Sequence, residues 1–262
     1  MDASQNGLPG IGVPGIGVPE NGRPASADDG LLVAEDASMK RFVETVGGLT
    51  QQQAGGATLI PPWTRGHVIT HVARASDSLC RLLEGARTGV EIPQYASMAA
   101  REEEIEAGAG RPVAALLEDV LAGAVRFDEA VRTLPEEAWR RRVRLRTGEL
   151  RTPASLVATR LRELEVHHAD LAAGYAFGDV PKSAARYVID DVIGALAGRD
   201  GVPGMRIEAT DGNLVRDIGG GGGPVIKGST GDLLAWITGR GEAVVQLSVS
   251  GATDVPEAPY WI

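Results

Sequence analysis

The sequence predicts an α+β protein in which an up-down four-helix bundle precedes a small α/β domain. Apolar residues recur at helical spacing in four long segments, and proline or glycine bounds each of them. After Pro181 the pattern changes to β-branched alternation, glycine runs and short helices. We therefore divide the chain into a bundle domain over 31–178 and a C-terminal α/β domain over 179–262.

A glycine- and proline-rich repeat occupies the start of the chain, where residues 9–19 read PGIGVPGIGVP. This composition offers neither a helix nor an apolar face that could pack. We predict that 1–30 is a disordered tail outside both domains.

The helices of the bundle are predicted from apolar spacing together with start and stop residues. The four main segments are 29–46, 64–83, 112–133 and 153–172. Gly85 marks the expected end of the second helix, Pro112 opens the third, and Thr152 is the expected N-cap of the fourth. A weaker helical pattern covers 97–107.

Two helices and two strands are predicted for the C-terminal domain. The helices cover 182–197 and a short amphipathic stretch at 233–237, and the strands cover 205–210 and 243–250. The glycine run at 219–223 is interpreted as a flexible hairpin loop. It is not a phosphate-binding loop, because the order Lys-Gly-Ser that follows it is wrong for Gly-Lys-Ser/Thr.

Composition excludes several classes of protein. The chain has 262 residues, of which 43% are hydrophobic and 23% charged, and a formal net charge of −9. No window approaches the roughly 20 apolar residues of a membrane span, and the N-terminus lacks the layout of a secretory signal. The acidic balance argues against a nucleic-acid partner. We expect a cytoplasmic protein without a membrane or nucleic-acid partner, and the single Cys80 fits a reducing compartment.

Arginines nevertheless cluster between residues 140 and 146, where a nucleic-acid or anion patch is one interpretation. The alternation Arg-Val-Arg-Leu-Arg instead favours an exposed strand or hairpin arm that leads into Thr147 and Gly148.

The most informative segment is LRELEVHHADL over 161–171. On a helix, positions four apart differ by about 40°, so Glu163, His167 and Asp170 share one face. A third ligand would have to come from His67 or His71, nearly one hundred residues earlier. Two imidazoles, one carboxylate and a vacant position are typical of catalytic zinc, although other divalent ions suit these ligands. A solvated Glu/His surface pair is the alternative, because this spacing is common by chance.

Four segments together resemble the mycothiol-dependent maleylpyruvate isomerases, whose N-terminal domain belongs to the DinB-like helical-bundle superfamily. They are WTRGHVITHVAR at 63–74, YASMAAREEEIE at 95–106, LRELEVHHADL at 161–171 and LAWITGR at 234–240. The likeness covers about 31–262. It implies a DinB-like metal-binding bundle at the N-terminal side.

Carried onto this sequence, the resemblance implies that His71, Glu163 and His167 bind zinc or another divalent metal, and that Arg101 and Asp170 belong to the active site. His67 and His168 fall outside that assignment. The implied reaction is isomerisation of the cis double bond of maleylpyruvate to fumarylpyruvate in gentisate breakdown. A metal-activated thiolate of mycothiol would add, allow rotation and depart. The implied partners are a small dicarboxylate and this low-molecular-weight thiol, and we expect a monomer.

Two other functions stay open from the sequence. One is a mycothiol S-transferase or another metal-dependent thiol-transfer enzyme on the same fold. The other is a non-catalytic regulatory module whose metal is structural or lost. Two residues also have plainer interpretations, since Arg101 could pair with the acidic residues at 102–104 and Asp170 could be a surface acid near a helix end.

Overall fold

The structure is a computed structural model, and it describes residues 29–240 and 246–261. The predicted disordered tail therefore lies outside the described residues, apart from its last two positions. None of the helices within this described part is long and apolar enough to cross a membrane.

Four long helices form the bundle. They are α1 (Asp29–Gly47), α3 (Arg65–Thr88), α5 (Val113–Arg132) and α6 (Pro153–Asp170). Helices α1 and α3 each pack against both α5 and α6, so the four form a closed ring around a shared core. The one-turn α2 (Gln51–Ala54) precedes α3, and α4 (Met98–Ala109) packs against α3. The predicted four-helix bundle is confirmed.

The predicted end of the second helix near residue 83 is wrong, because α3 continues to Thr88. Gly85 does not stop the helix. A Cβ at that position would lie 3.0 Å from the carbonyl oxygen of Val90, so the glycine lets the returning chain pack against the helix. The helix ends at Gly89 instead, in the left-handed region with φ of 74°.

The sequence predicts an exposed strand or hairpin arm for the arginine-rich segment, and this segment forms one arm of a hairpin. Strands β1 (Val143–Arg144) and β2 (Leu150–Arg151) pair antiparallel, and Gly148 takes a φ of 85° in the turn. Most of the clustered guanidinium groups are exposed. Arg141 is an exception, because it donates to the carbonyl oxygen of Ala86 at 2.8 Å and so ties the hairpin to the end of α3.

The C-terminal region contains two helices and a four-stranded sheet. The elements are α7 (Lys182–Leu196), β3 (Met205–Ala209), β4 (Val215–Ile218), β5 (Val225–Gly228), α8 (Thr230–Ile237) and β6 (Ser248–Ser250). The strand order is β4-β3-β5-β6. Strand β3 pairs antiparallel with β4 and parallel with β5, and β5 pairs antiparallel with β6.

Two predictions for this region are wrong, and two of its strands are not predicted from the sequence. The glycine run does not close a hairpin, because β4 and β5 lie on opposite sides of β3 and the run crosses between them. Strands β4 and β5 have only four residues each, which is too short for a clear alternating pattern, and both are held by pairing with neighbouring strands. Helix α8 is buried on nearly all sides and is not amphipathic, because it packs against α7, β3 and β5. The strand predicted at 243–250 is described only as Ser248–Ser250, and residues 241–245 lie outside the described part.

One buried apolar cluster continues from the bundle into the C-terminal region. It includes Leu161 of α6, Val188 of α7, Leu234 of α8 and Ile207 of β3, all fully buried. The division of the chain at residues 178 and 179 stays a prediction, and this shared core fixes the C-terminal elements against α6.

Glu35 of α1 faces the buried Arg160 of α6, with 3.7 Å between Oε1 and Nε. Burial raises the pKa of Glu35 to about 7, although Arg160 opposes the shift. The carboxyl group of Glu35 therefore binds its proton more tightly in the native state than in the unfolded chain. The protonated group stabilises the native state below the ordinary pKa, and this stabilisation is lost as pH rises through 7. We expect the free energy of unfolding to fall by about 3 kcal/mol from this group between pH 4.5 and 8.

Urea denaturation of the wild type and of Glu35→Gln across that pH range measures the effect. The variant should lack the fall, because glutamine does not titrate. Parallel pH curves for the two proteins would contradict the assignment.

Candidate metal centre

Adjacent helices of the bundle bring together the three residues that the resemblance picks out as metal ligands. His71 lies in α3, and Glu163 and His167 lie one turn apart in α6. Oε2 of Glu163 is 3.2 Å from Nε2 of His71 and 3.4 Å from Nε2 of His167. The two Nε2 atoms are 3.0 Å apart. Among the described residues, these three form a group in which one donor atom from each lies within 4.8 Å of the others.

The three side chains line a cleft of about 380 Å³. Their side chains are 8%, 17% and 13% exposed for His71, Glu163 and His167, so each reaches the cleft from a mainly buried position. The cleft is bounded by α3, α6, the loop before α3, the β1–β2 turn, Arg101 of α4 and two C-terminal residues, Arg240 and Trp261.

Asp170 lies behind His167 and is fully buried, so the interpretation as a surface acid is wrong. Its Oδ2 is 2.9 Å from Nδ1 of His167. Arg240, from beyond the end of α8, donates to both carboxylate oxygens of Asp170 at 3.2 and 2.8 Å. A carboxylate on Nδ1 leaves Nε2 of the same ring directed toward Glu163 and His71, which is how metal-bound histidines are commonly oriented.

Electrostatics at the cluster favour a cation. Burial alone would raise the pKa of Glu163, but hydrogen bonds with His167 and His71 outweigh it and hold that pKa well below its usual value. Burial would lower the pKa of His167, yet Asp170 and Glu163 raise it. Burial and the neighbouring His167 lower the pKa of His71 to about 4. The site therefore holds ionised carboxylates of Glu163 and Asp170 beside a neutral His71, which are the protonation states that these groups need in order to bind a metal ion.

Arg101 of α4 contacts the ring nitrogen of His71 that faces away from the three-residue cluster. Its Nη2 is 3.1 Å from Nδ1 of His71, and its guanidinium lies over the ring of Tyr95 at 5.7 Å. No carboxylate within the described residues forms an ion pair with Arg101, so the proposed pairing with residues 102–104 is not observed. A neutral His71 that accepts from Arg101 at Nδ1 carries its hydrogen on Nε2.

His67 is directed away from the cluster, although it shares a helical face with His71. Its Nδ1 is 2.7 Å from Oγ1 of Thr64 and accepts from the Thr64 N–H at 3.2 Å, at the start of α3. Its Nε2 lies 3.0 Å from Oε2 of Glu106. His67 therefore caps its helix, and the structure separates the two histidines that spacing could not.

His168 lies on the other side of α6 and packs against α1. Its ring stacks on Tyr175 with centroids 3.7 Å apart, and its Nε2 is 2.7 Å from Oγ1 of Thr45. We expect His168→Ala to lower the free energy of unfolding by about 2–4 kcal/mol, because stacking and a buried hydrogen bond are lost together.

The same His168→Ala variant should bind Zn²⁺ as tightly as the wild type. Denaturation and a Zn²⁺ competition titration measure the two effects. A stable variant with weakened Zn²⁺ binding would show that His168 belongs to the metal centre.

Three residues of the cleft are not predicted from the sequence. Arg240 lies within a motif used for the resemblance, but its distance from Asp170 along the chain gave no signal of contact. Arg162 is adjacent to Glu163 and lines the same cleft. Trp63 precedes α3, and its ring centroid lies 5.3 Å from that of His71.

The residues present fit a divalent metal ion. Two imidazole nitrogens and one carboxylate oxygen converge at a mainly buried place, and a second carboxylate holds one imidazole from behind. This donor set is typical of zinc and of other first-row divalent ions with an open coordination position.

Comparison with known proteins gives matches of two kinds. The family model described as mycothiol maleylpyruvate isomerase N-terminal domain matches residues 36–172. A crystal structure of the mycothiol-dependent maleylpyruvate isomerase has a TM-score of 0.77 and 28% identity, and the match covers 88% of this chain and 95% of that chain. A histidine-to-alanine mutant of that isomerase has a TM-score of 0.76 and 27% identity, with the same coverage. No curated protein sequence matches this chain.

The family match and the structural likeness agree with the fold and with the resemblance seen in the sequence. The matched range contains α3 and α6 and therefore the whole three-residue cluster. Because the family model covers more than half of the chain, this protein belongs to the mycothiol maleylpyruvate isomerase family.

Proposed function

We propose that this protein is a metal- and mycothiol-dependent cis–trans isomerase that converts maleylpyruvate to fumarylpyruvate. The observation that carries the proposal is the convergence of His71, Glu163 and His167 in a cleft, in a chain whose solved relatives are named for this reaction. The cleft offers both a place for a cation and arginines that can meet an anionic substrate.

His71, Glu163 and His167 would hold the metal through Nε2, Oε2 and Nε2. When bound, the ion and mycothiol supply a thiolate near neutral pH, whose reversible addition gives the substrate a single bond about which it can rotate. The residues of the chain would bind the substrate, orient the metal ligands and balance the buried charge.

Arg101 would bind a carboxylate of the substrate. Metal binding at Nε2 of His71 requires the tautomer with hydrogen on Nδ1, and this tautomer cannot accept from Arg101. The guanidinium would then be free for a ligand in the cleft, which it already lines. A planar guanidinium suits a carboxylate and also stabilises enolate-like charge that develops next to it.

Asp170 would fix the ring of His167, and Arg240 would balance the buried charge of Asp170. The carboxylate accepts from Nδ1 of His167, so the lone pair on Nε2 stays available in the cleft. Arg240 donates to both oxygens of that carboxylate and so holds it in place beside Nδ1 of His167. The C-terminal region thus completes a site whose ligands all come from the bundle.

Product analysis tests this function and separates it from thiol transfer. Zinc-loaded protein is mixed with maleylpyruvate and substoichiometric mycothiol, and products are followed by NMR. We expect full conversion to the trans isomer with free mycothiol recovered, because the thiol is regenerated in each turnover. Accumulation of a stable thioether, or consumption of one mycothiol per substrate, would instead show an S-transferase.

A further inference from the structure

The two carboxylate oxygens of Glu163 have different partners. Oε2 faces the imidazoles of His71 and His167 at 3.2 and 3.4 Å. Oε1 lies 3.4 Å from Nη2 of Arg162, the preceding residue. One oxygen is therefore directed to the donor cluster, whereas the other is next to a guanidinium.

The guanidinium of Arg162 is itself fixed by the C-terminal region. Its Nη1 binds the carboxylate of Asp191 in α7, whose side chain is 1% exposed. Its Cζ lies 4.5 Å from the centroid of the Trp261 ring. Arg162 is 7% exposed, so both contacts are shielded from water and constrain the group strongly.

Asp191 is held from a second direction. Nη1 of Arg151, in β2, lies 2.7 Å from Oδ1 of Asp191, while Arg162 uses Oδ2. A buried carboxylate between two arginines has little freedom to move, because breaking either pair leaves an uncompensated charge. The hairpin, α7 and the C-terminal Trp261 thus fix Arg162 in its place beside Glu163.

We propose that Arg162 is a positioning residue of the metal centre, which occupies Oε1 of Glu163 so that this carboxylate binds the metal through Oε2 alone. The inference rests on the metal centre proposed above and adds a residue outside the ligand set. Arg162 suits the task because its planar fork contacts two carboxylates at once, which a lysine ammonium cannot do in the same geometry.

Zn²⁺ affinity tests this role without a measurement of activity. Competition with a chromophoric chelator is carried out for the wild type, Arg162→Gln, Glu163→Gln and Arg151→Gln. We expect Arg162→Gln to weaken Zn²⁺ binding by about 10–100-fold, as is usual when a residue that hydrogen-bonds a metal ligand is lost. Arg151→Gln is the matched control, since it also removes an arginine from Asp191 but leaves the contact between Arg162 and Glu163 in place, and its affinity for Zn²⁺ should fall less than that of Arg162→Gln. Wild-type affinity in Arg162→Gln would overturn the proposal.

A Co²⁺-substituted protein gives a second readout. A Glu163 carboxylate released from Arg162 can bind through both oxygens, which raises the coordination number. We expect weaker visible absorption bands per bound Co²⁺ in Arg162→Gln than in the wild type or in Arg151→Gln. Identical spectra in the three proteins would contradict a positioning role.

Arg162→Lys keeps a cation beside Asp191 and serves if Arg162→Gln does not fold. It should also weaken Zn²⁺ binding, because the ammonium cannot reach both carboxylates. If Glu163→Gln binds Zn²⁺ as tightly as the wild type, the metal centre itself is wrong. If Glu163→Gln weakens binding but both Arg162 variants do not, only the positioning role is wrong.

Discussion

His167→Ala is expected to weaken Zn²⁺ binding by more than about 100-fold and to abolish thiol-dependent turnover. Loss of a residue that hydrogen-bonds a metal ligand typically lowers metal affinity by about 10–100-fold. Here a ligand itself is removed, so the loss should be larger. The variant also leaves the buried Asp170 with Arg240 but without its imidazole. Chelator competition measures the affinity, and the absorbance decay of maleylpyruvate measures the turnover.

The neighbouring His168→Ala variant is the control, because it removes an imidazole from the same helix but from the face packed on α1. It should lose stability and retain affinity for Zn²⁺. Tight Zn²⁺ binding by a folded His167→Ala protein would show that the three-residue cluster is not the metal centre.

Arg101→Gln is expected to lower the turnover number by about 10²–10³-fold while Zn²⁺ affinity changes little. Removal of one group that stabilises developing negative charge has typically this effect. Arg101 is not a member of the ligand cluster, although it lies 3.1 Å from Nδ1 of His71. Steady-state kinetics of zinc-loaded protein, combined with chelator competition, separate the two effects.

Two further variants sharpen this result. Arg101→Lys should retain part of the lost activity, since it keeps the charge without the planar fork. Arg142→Gln, on the exposed hairpin and outside the cleft, should behave as the wild type. Full activity in Arg101→Gln would remove this residue from the proposed mechanism.

The helical spacing of a single segment predicted much of the site. One face of α6 does carry Glu163, His167 and Asp170. His167 lies between the two acids and contacts both, Glu163 through Nε2 and Asp170 through Nδ1. Spacing could not choose between His67 and His71, because residues four apart on α3 share a face. One local and two tertiary contacts decide between them: the N-cap Thr64 and Glu106 of α4 bind His67, whereas His71 faces α6.

The long-range ion pairs that support the candidate ligands could not be predicted from helical spacing. Arg240 meets Asp170 across 70 residues of chain, and Asp191 meets Arg162 across 29. No local periodicity reports such contacts, since they depend on how the C-terminal elements dock on α6. Their discovery required the packing of α7 and α8 against the bundle.

Long elements of the fold were predicted correctly from the sequence, whereas short elements that form only through contacts with neighbouring strands were missed. The bundle helices carry many turns of apolar spacing, so their existence follows from the sequence. Strands β4 and β5 are too short to show a period, and their place beside β3 comes from pairing. Gly85 misled the prediction because it serves a close approach of Val90 rather than a helix end.

Reconstitution of metal-free protein shows whether turnover depends on a bound metal ion and on mycothiol. Chelator-stripped protein is titrated with Zn²⁺ in the presence of mycothiol, and the rate of maleylpyruvate isomerisation is recorded at each step. We predict no turnover without metal, a linear rise and a sharp plateau at one equivalent of Zn²⁺, and no turnover at any Zn²⁺ level when mycothiol is omitted. Full turnover by the metal-free protein, or none at saturating Zn²⁺ and mycothiol, would show that this protein is not a metal- and mycothiol-dependent isomerase.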